Sequence, residues 1–279
     1  MRTWLITGCS SGFGRALAEA VLTSGDHCIA TARDPQSLRG LIEQHPQQSV
    51  ALQLDVTDRA SISACVQAAL ASPVANQRID VLVHNAGYGL VGAIEECDEA
   101  QVRRNFETNF FGAMFLTQAL LPHFRAQRSG LIIAMSAAAV ISNYAGFGVY
   151  GAAKWALEGM CESLRAELAP VGVKVMMVEP GPFRTDFIAR SMDKGSTRIS
   201  EYDRTSGQFT SMLERMSGKQ PGDPMRGAQA IVTASQHETV PARLVLGRYA
   251  IEKTKKKWAA SQAELATWEE LGLSADFPK

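Results

Sequence analysis

Gly8, Gly12 and Gly14 close a short apolar run, Trp4-Leu5-Ile6-Thr7, and open a segment with helical periodicity. A glycine cluster between a strand and a helix narrows the fold sharply. Glycine lets the chain turn tightly and lets a ligand approach the backbone closely. The helix that follows presents unpaired N–H groups and the positive end of its dipole. The stretch Gly8, Ser10, Ser11, Gly12, Phe13 and Gly14 therefore reads as a cradle for phosphate at the end of a first strand.

The rest of the chain repeats the strand–helix alternation. After a helix over 13–24, with Gly25 as its stop, Cys28-Ile29-Ala30-Thr31 reads as a second strand. Asp34 then caps a helix opened by Pro35. Further strands are expected at 50–54, 81–83, 131–135 and 173–178, with helices at 59–70, 102–127 and 149–168 between them. Short apolar strands separated by amphipathic helices indicate a parallel sheet covered on both faces. In such a sheet ligands bind at the carboxyl ends of the strands.

Residues 184–220 break the alternation and read as a lid over the substrate pocket. Its Phe187, Ile188, Met192, Phe209, Met212 and Leu213 imply a moderately large, apolar substrate. A C-terminal helical extension is expected over 250–279. No linker or repeat divides the chain, so 1–279 reads as one domain.

Several classes are excluded. Lys+Arg and Asp+Glu balance at 28 each, so no net field attracts nucleic acid or an anionic membrane. The one basic run, at 253–257, reads as a solvated helix face. Five scattered cysteines without a C-x-x-C pair argue against a disulfide framework or zinc and for a reducing, cytoplasmic setting. The histidines show no metal-ligand spacing, so no metal is expected. The chain enters its first strand at once, so no signal peptide is expected, and the apolar stretch 131–141 is too short to span a bilayer.

The glycine spacing is G-x-x-x-G-x-G, and other landmarks follow it in order. Asp55-Val56 ends the third strand, Asn85-Ala86-Gly87 ends the fourth, and Asn109 lies inside the long helix. Tyr150 and Lys154 form Y-x-x-x-K, and Pro180-Gly181 is followed by Phe183 and Thr185. Over roughly residues 3–190 this set resembles the short-chain dehydrogenases/reductases. The resemblance implies a doubly wound, Rossmann-type α/β fold and a nicotinamide cofactor. Asp55 and Val56 would contact adenine, and Asn85, Ala86 and Gly87 would line the cofactor. Pro180, Gly181, Phe183 and Thr185 would contact nicotinamide. Lys154 would hold ribose, and Asn109 would anchor a water in a proton relay.

Tyr150 and Lys154 also make chemical sense alone. At i and i+4 they share a helix face, and a nearby ammonium is expected to lower a phenol's pKa, making the pair an acid/base for a carbonyl or alcohol. In the family's register the position of the acid that commonly binds the ribose 2′-OH of NAD is Ala32, with Arg33 next; Asp34 is the rival acid, but it precedes Pro35 and reads as the helix cap. Arg33 suits a 2′-phosphate, and NADP(H) is the expected cofactor.

One position departs from the family. Its substrate-bonding serine usually stands thirteen residues before the tyrosine, which here is Ala137, while the nearest serine is Ser136. Two readings stand: an extra residue in the following loop makes Ser136 the family serine, or Ala137 occupies the position and the hydroxyl is lost. Ser142 and Tyr144, with Ala137 and Phe187, would then line the substrate site. The leading expectation is an NADP(H)-dependent oxidoreductase interconverting a carbonyl and an alcohol. A non-redox lyase, cyclase or isomerase on this fold, or a nucleotide-sensing protein without turnover, are its rivals. Apolar residues on several faces of the helices at 102–127 and 149–168 further imply a homo-oligomer.

Overall fold

The structure, a computed structural model, describes residues 1–277. Residues 278 and 279, the end of the expected C-terminal extension, lie outside the described residues. The chain begins with β1 (Thr3–Ile6), α1 (Gly12–Thr23), β2 (His27–Ala32), α2 (Arg39–Gln44), β3 (Ser49–Gln53), α3 (Arg59–Ala71) and β4 (Val81–His84). It continues through β5 (Gly89–Val91), α4 (Glu99–Phe106), α5 (Gly112–Gln127), β6 (Gly130–Met135), α6 (Ala138–Ile141), α7 (Gly148–Leu168) and β7 (Val173–Pro180). The last third holds α8 (Phe187–Arg190), β8 (Met192–Lys194), α9 (Gln208–Met216), α10 (Pro224–Gln236), β9 (Arg243–Leu246) and α11 (Arg248–Leu273).

Seven strands form one sheet in the order β3-β2-β1-β4-β6-β7-β9, and every pairing is parallel. Strand alternation divides the core. Trp4 and Ile6 of β1 pack with Leu17 and Val21 of α1 and Ile231 of α10. Leu5, between them, packs on the other face with Leu116 of α5 and Leu157 of α7. Helices therefore cover both faces, as the near-continuous apolar strands require. The chain winds from β1 outward to β3, then returns to place β4 on the other side of β1. This reversal opens a crevice at the carboxyl ends of β1 and β4.

The structure adds three features to the sequence reading. A seventh strand, β9, closes the sheet beside β7 through pairs such as Met177 with Arg243. β5 and β8 form a small parallel sheet that fastens the 184–220 segment beside the main one. The helix expected over 102–127 is interrupted: Glu107–Phe111 is a π-helical turn between α4 and α5. Among the described residues, no helix is long and apolar enough to cross a membrane.

Candidate active site

The glycine loop leaves β1 with Gly8 at φ +71° and Gly12 at φ +59°, in the left-handed region that glycine tolerates. Gly14 packs so closely on the Gly8 carbonyl and the Asn85 amide that no side chain fits. Asn85 staples the two central strands: its Nδ2 donates to the carbonyls of Thr7 (2.8 Å) and Gly8 (3.0 Å). Thr7 Oγ1 accepts from the backbone N–H groups of Asn85 and Ala86, both at 2.9 Å. Ser11 stands at the N-cap of α1 without a side-chain cap bond. The helix N-terminus is thereby left open toward the crevice.

Arg33 lies exposed just beyond β2 and borders the same cavity. Asp34, the rival for a ribose hydroxyl, is engaged: its carboxylate accepts from Gln36 N at 3.0 Å and caps a 3-10 turn. Asp55 lies two residues past β3, where its carboxylate accepts from Thr57 N (2.9 Å) and Thr57 Oγ1 (2.7 Å).

Tyr150 and Lys154 lie one turn apart on α7, at 5 % and 4 % exposure, on the wall of the same cavity. Lys154 Nζ donates to the Met135 carbonyl at 2.9 Å and sits 5.9 Å from the centre of the Tyr150 ring. Gly87 leaves the space beside them, because a side chain there would meet Asn109 Oδ1 at 2.5 Å and Lys154 Nζ at 3.3 Å. Asn109 sits in the π-helical turn, and its Nδ2 donates to the carbonyls of Tyr88 and Asn105, each at 3.0 Å. Its Oδ1 is buried without a partner. An acceptor left open beside a buried lysine is the arrangement that an ordered water or ligand hydroxyl completes.

The electrostatics correct one expectation. Lys154 does not dominate the Tyr150 phenol; burial does, and it pushes the pKa upward. A phenolate deprived of water costs more than an ammonium bonded elsewhere returns. Burial also brings Lys154 down to about 8, offset in part by the Glu158 carboxylate. His84, bonded to Thr117 at 2.7 Å, is held at about 3 by burial and by Lys154.

Ser136 and Ala137 both border the cavity but differ in their commitments. Ser136 Oγ donates to Glu158, which pairs with Arg243; Arg243 also holds Glu179 at 2.6 Å and Glu162 at 2.5 Å. Ala137 instead packs against the cluster formed by Val91, Ala139, Phe147 and Tyr150.

The cavity measures about 930 Å³ and joins the glycine cradle to an apolar chamber. Phe187, Ile188, Met192, Phe209, Met212 and Leu213 line it, together with Tyr144, Pro180, Gly181, Phe183 and Thr185. Three expected site residues sit otherwise. Ser142 ends α6 and is not part of the lining, because the chain turns there and carries Tyr144 inward instead. Gly14 and Asn109 lie behind the wall and shape it by packing and hydrogen bonding.

Phe147 and Tyr249 were not legible as lining. Tyr249 arrives from α11, and its hydroxyl meets that of Tyr144 at 2.7 Å. Tyr144 is stacked on Phe209 at 4.9 Å between ring centres, and Lys253 Nζ lies 3.4 Å from the centre of its ring.

The comparisons with known proteins agree with this geometry. The family model described as short chain dehydrogenase matches residues 2–195. The chain is 35 % identical over 276 residues to the oxidoreductase BOA17 of Botryotinia fuckeliana, covering 98 % of this chain and 99 % of that one. It is 35 % identical over 204 residues to retinol dehydrogenase 8 of Bos taurus, covering 70 % of this chain and 64 % of the relative. The crystal structure of a short-chain dehydrogenase from Streptomyces avermitilis superposes with a TM-score of 0.91 at 40 % identity, covering 99 % of this chain and all of the other. With its seven-stranded parallel sheet, glycine cradle and Tyr150/Lys154 pair on one helix, this chain belongs to the short-chain dehydrogenase family of oxidoreductases.

Proposed function

We propose that this chain is an NADP(H)-dependent oxidoreductase that interconverts a carbonyl and an alcohol. The observation that carries the reading is the shared cavity, in which the buried Tyr150/Lys154 pair and the open glycine cradle line one continuous space.

The residues present fit the cofactor. Gly8, Ser10, Ser11, Gly12 and the start of α1 would take the pyrophosphate, and Arg33 the 2′-phosphate. Asp55 and Val56 would border adenine; Asn85, Ala86 and Gly87 would line the middle of the groove. Pro180, Gly181, Phe183 and Thr185 would border the nicotinamide. The space that Gly87 leaves beside Lys154 suits a ribose, whose hydroxyl Lys154 would hold. When bound, the cofactor supplies or takes up the hydride at the carbonyl carbon.

The chain's own contribution is a proton and its placement. In the reducing direction Tyr150 gives its phenolic proton to the carbonyl oxygen and is left as phenolate. The upward pKa that burial imposes keeps the phenol loaded at neutral pH. Lys154 stabilises the phenolate by its charge, and Asn109 holds the water that returns a proton to this site. No serine hydroxyl assists at position 137, so the substrate oxygen rests on Tyr150.

The apolar chamber suits a moderately large, apolar substrate, and the relatedness to a protein named for retinol supports the same size class. The 184–220 segment would act as the lid of that chamber. Half-buried Phe111 and Phe115 and the exposed Trp155 support a homo-oligomer joined across α5 and α7. Five free cysteines suit a reducing, cytoplasmic setting.

The test is the absorbance of NADPH followed across a panel of apolar ketones and aldehydes. Turnover of any member, lost in Tyr150→Phe, supports the reading. Tight NADPH binding without oxidation across the panel points instead to a non-redox enzyme or a nucleotide sensor.

A further inference from the structure

α11 leaves the body of the protein after two turns. Within it only Ala250 and Thr254 are buried, and every residue from Lys255 to Phe277 is exposed. The free part runs roughly 27 Å at 1.5 Å per residue. Most helical stability in proteins comes from tertiary packing, and this stretch has none from the body of the protein. Its surface is also not that of a solvated helix. Trp258, Leu265 and Trp268 stand 60 %, 70 % and 61 % exposed. At spacings of seven and three residues they fall on one stripe, with Ser261 and Gly272 between and beyond them.

The charges are polarised along the same helix. Lys253, Lys255, Lys256 and Lys257 crowd its first half, with Glu252 the one acid there, and Glu264, Glu269 and Glu270 stand in its second, which holds no base. A helix by itself favours the opposite arrangement, acids toward its N-terminus and bases toward its C-terminus. No acid stands in the first turn of α11 and no base in its last. The pattern therefore opposes the helix's own dipole. It complements a second copy lying antiparallel, whose acidic end and negative dipole end would flank the lysines.

We infer that the exposed half of α11 is a self-association surface that pairs antiparallel with α11 of a second copy of this chain. The two-fold axis would pass near residue 263. Trp258 of each copy would then pack on Trp268 of the other, and Ser261 on Leu265. Lys255 and Glu269, which flank the same side of the stripe, would meet across the pair. A parallel pairing sets lysine against lysine and is disfavoured. The two-fold arrangement is isologous and closes on itself, so it yields a finite assembly. This surface is separate from the α5/α7 face proposed above, and the two together would build a tetramer.

The experiment is the solution mass of the full-length chain by light scattering at matched micromolar concentrations. In the triple variant Trp258→Glu, Leu265→Glu, Trp268→Glu the mass is expected to halve, from tetramer to dimer or from dimer to monomer. The single reversals Lys255→Glu and Glu269→Lys each weaken association at low salt, by about tenfold in dissociation constant. The double reversal returns it to within about threefold of the wild type. All these positions are exposed, and circular dichroism and the melting transition of the body report that each variant is folded. An unchanged mass in the triple variant overturns the inference. So does a double reversal that fails to restore association. Anionic vesicles that pellet the wild-type chain but not the triple variant, with no change in mass in solution, would assign the stripe to a lipid surface instead.

Discussion

The hydroxyl of Ser136 is held by the carboxylate of Glu158, one turn beyond Lys154 on α7. This bond decides how the end of β6 meets the cavity. Ser136 belongs to a buried cluster with Glu158, Arg243 and Glu179, and its neighbour Ala137 packs against the cluster that contains Tyr150. Successive residues of an extended chain point to opposite sides, and Ala137 at φ −159° and ψ 154° is extended.

The first prediction follows from that division. Ala137→Ser adds a hydroxyl beside Tyr150 at an extended position that serine adopts without strain. The rate of carbonyl reduction is expected to rise by about ten- to a hundredfold, since a donor lost from a comparable oxyanion site costs about 10² to 10³. Ser136→Ala is expected to lower stability instead, by about 1–3 kcal/mol, because Glu158 loses a donor while remaining buried. Steady-state kinetics and denaturant melts of the two variants check both halves. A collapse of kcat in Ser136→Ala, with no gain in Ala137→Ser, would make Ser136 the working hydroxyl.

Tyr150→Phe is expected to lower kcat by at least about 10²-fold, the scale on which a positioned proton donor acts. Cofactor affinity should stay within a few-fold, because the ring remains and the cradle lies on other elements. NADPH titration by fluorescence, beside turnover of an accepted ketone, separates the two quantities. Near wild-type turnover in the Phe variant would remove Tyr150 from the chemistry.

What the sequence disclosed was local. Gly8 and Gly12 announce their turn because the requirement lies in the backbone of those very residues. Tyr150 and Lys154 announce theirs because helix geometry fixes the i, i+4 relation. Asp34 reads correctly as a cap because capping is a contact two residues long. Nonlocal features stayed hidden. β9 is short and half-buried, and only its pairing with β7 defines it. The π-helical turn that aims Asn109 leaves no mark in a periodic pattern. Tyr249 enters the cavity wall from a helix about a hundred residues beyond Tyr144, and no spacing encodes that meeting. The expected lowering of the Tyr150 pKa failed for the same reason, since it depended on burial that the spacing cannot report.

Arg33→Asp is expected to move preference from NADPH toward NADH. The variant loses a charge-assisted partner for the 2′-phosphate and gains an acceptor for a 2′-hydroxyl. Asp34 does not compensate, because its carboxylate already caps the following turn. The ratio of the two dissociation constants should shift by at least about tenfold. Calorimetric titration with both cofactors checks it, and an unchanged ratio would take the 2′-phosphate away from Arg33.

The last prediction concerns pH and rests on Lys154. Burial lowers its pKa to about 8, with the Glu158 carboxylate opposing that shift. The sign follows directly: the amine is an ammonium below that value and neutral above it. If the ammonium holds the cofactor ribose and stabilises the Tyr150 phenolate, kcat/KM for NADPH reports the free enzyme's lysine. It should be flat below pH 8 and fall above it, approaching one decade per pH unit. Tyr150 does not produce this limb, because burial moves its phenol in the opposite direction. Lys253 is the rival, since burial holds it at about 8 as well. Its Nζ lies 3.4 Å from the centre of the Tyr144 ring, and Lys253 is not part of the cavity lining. Lys253→Met should therefore keep the alkaline limb. A profile that stays flat to pH 10, or a limb that vanishes with Lys253, would separate Lys154 from the proposed role.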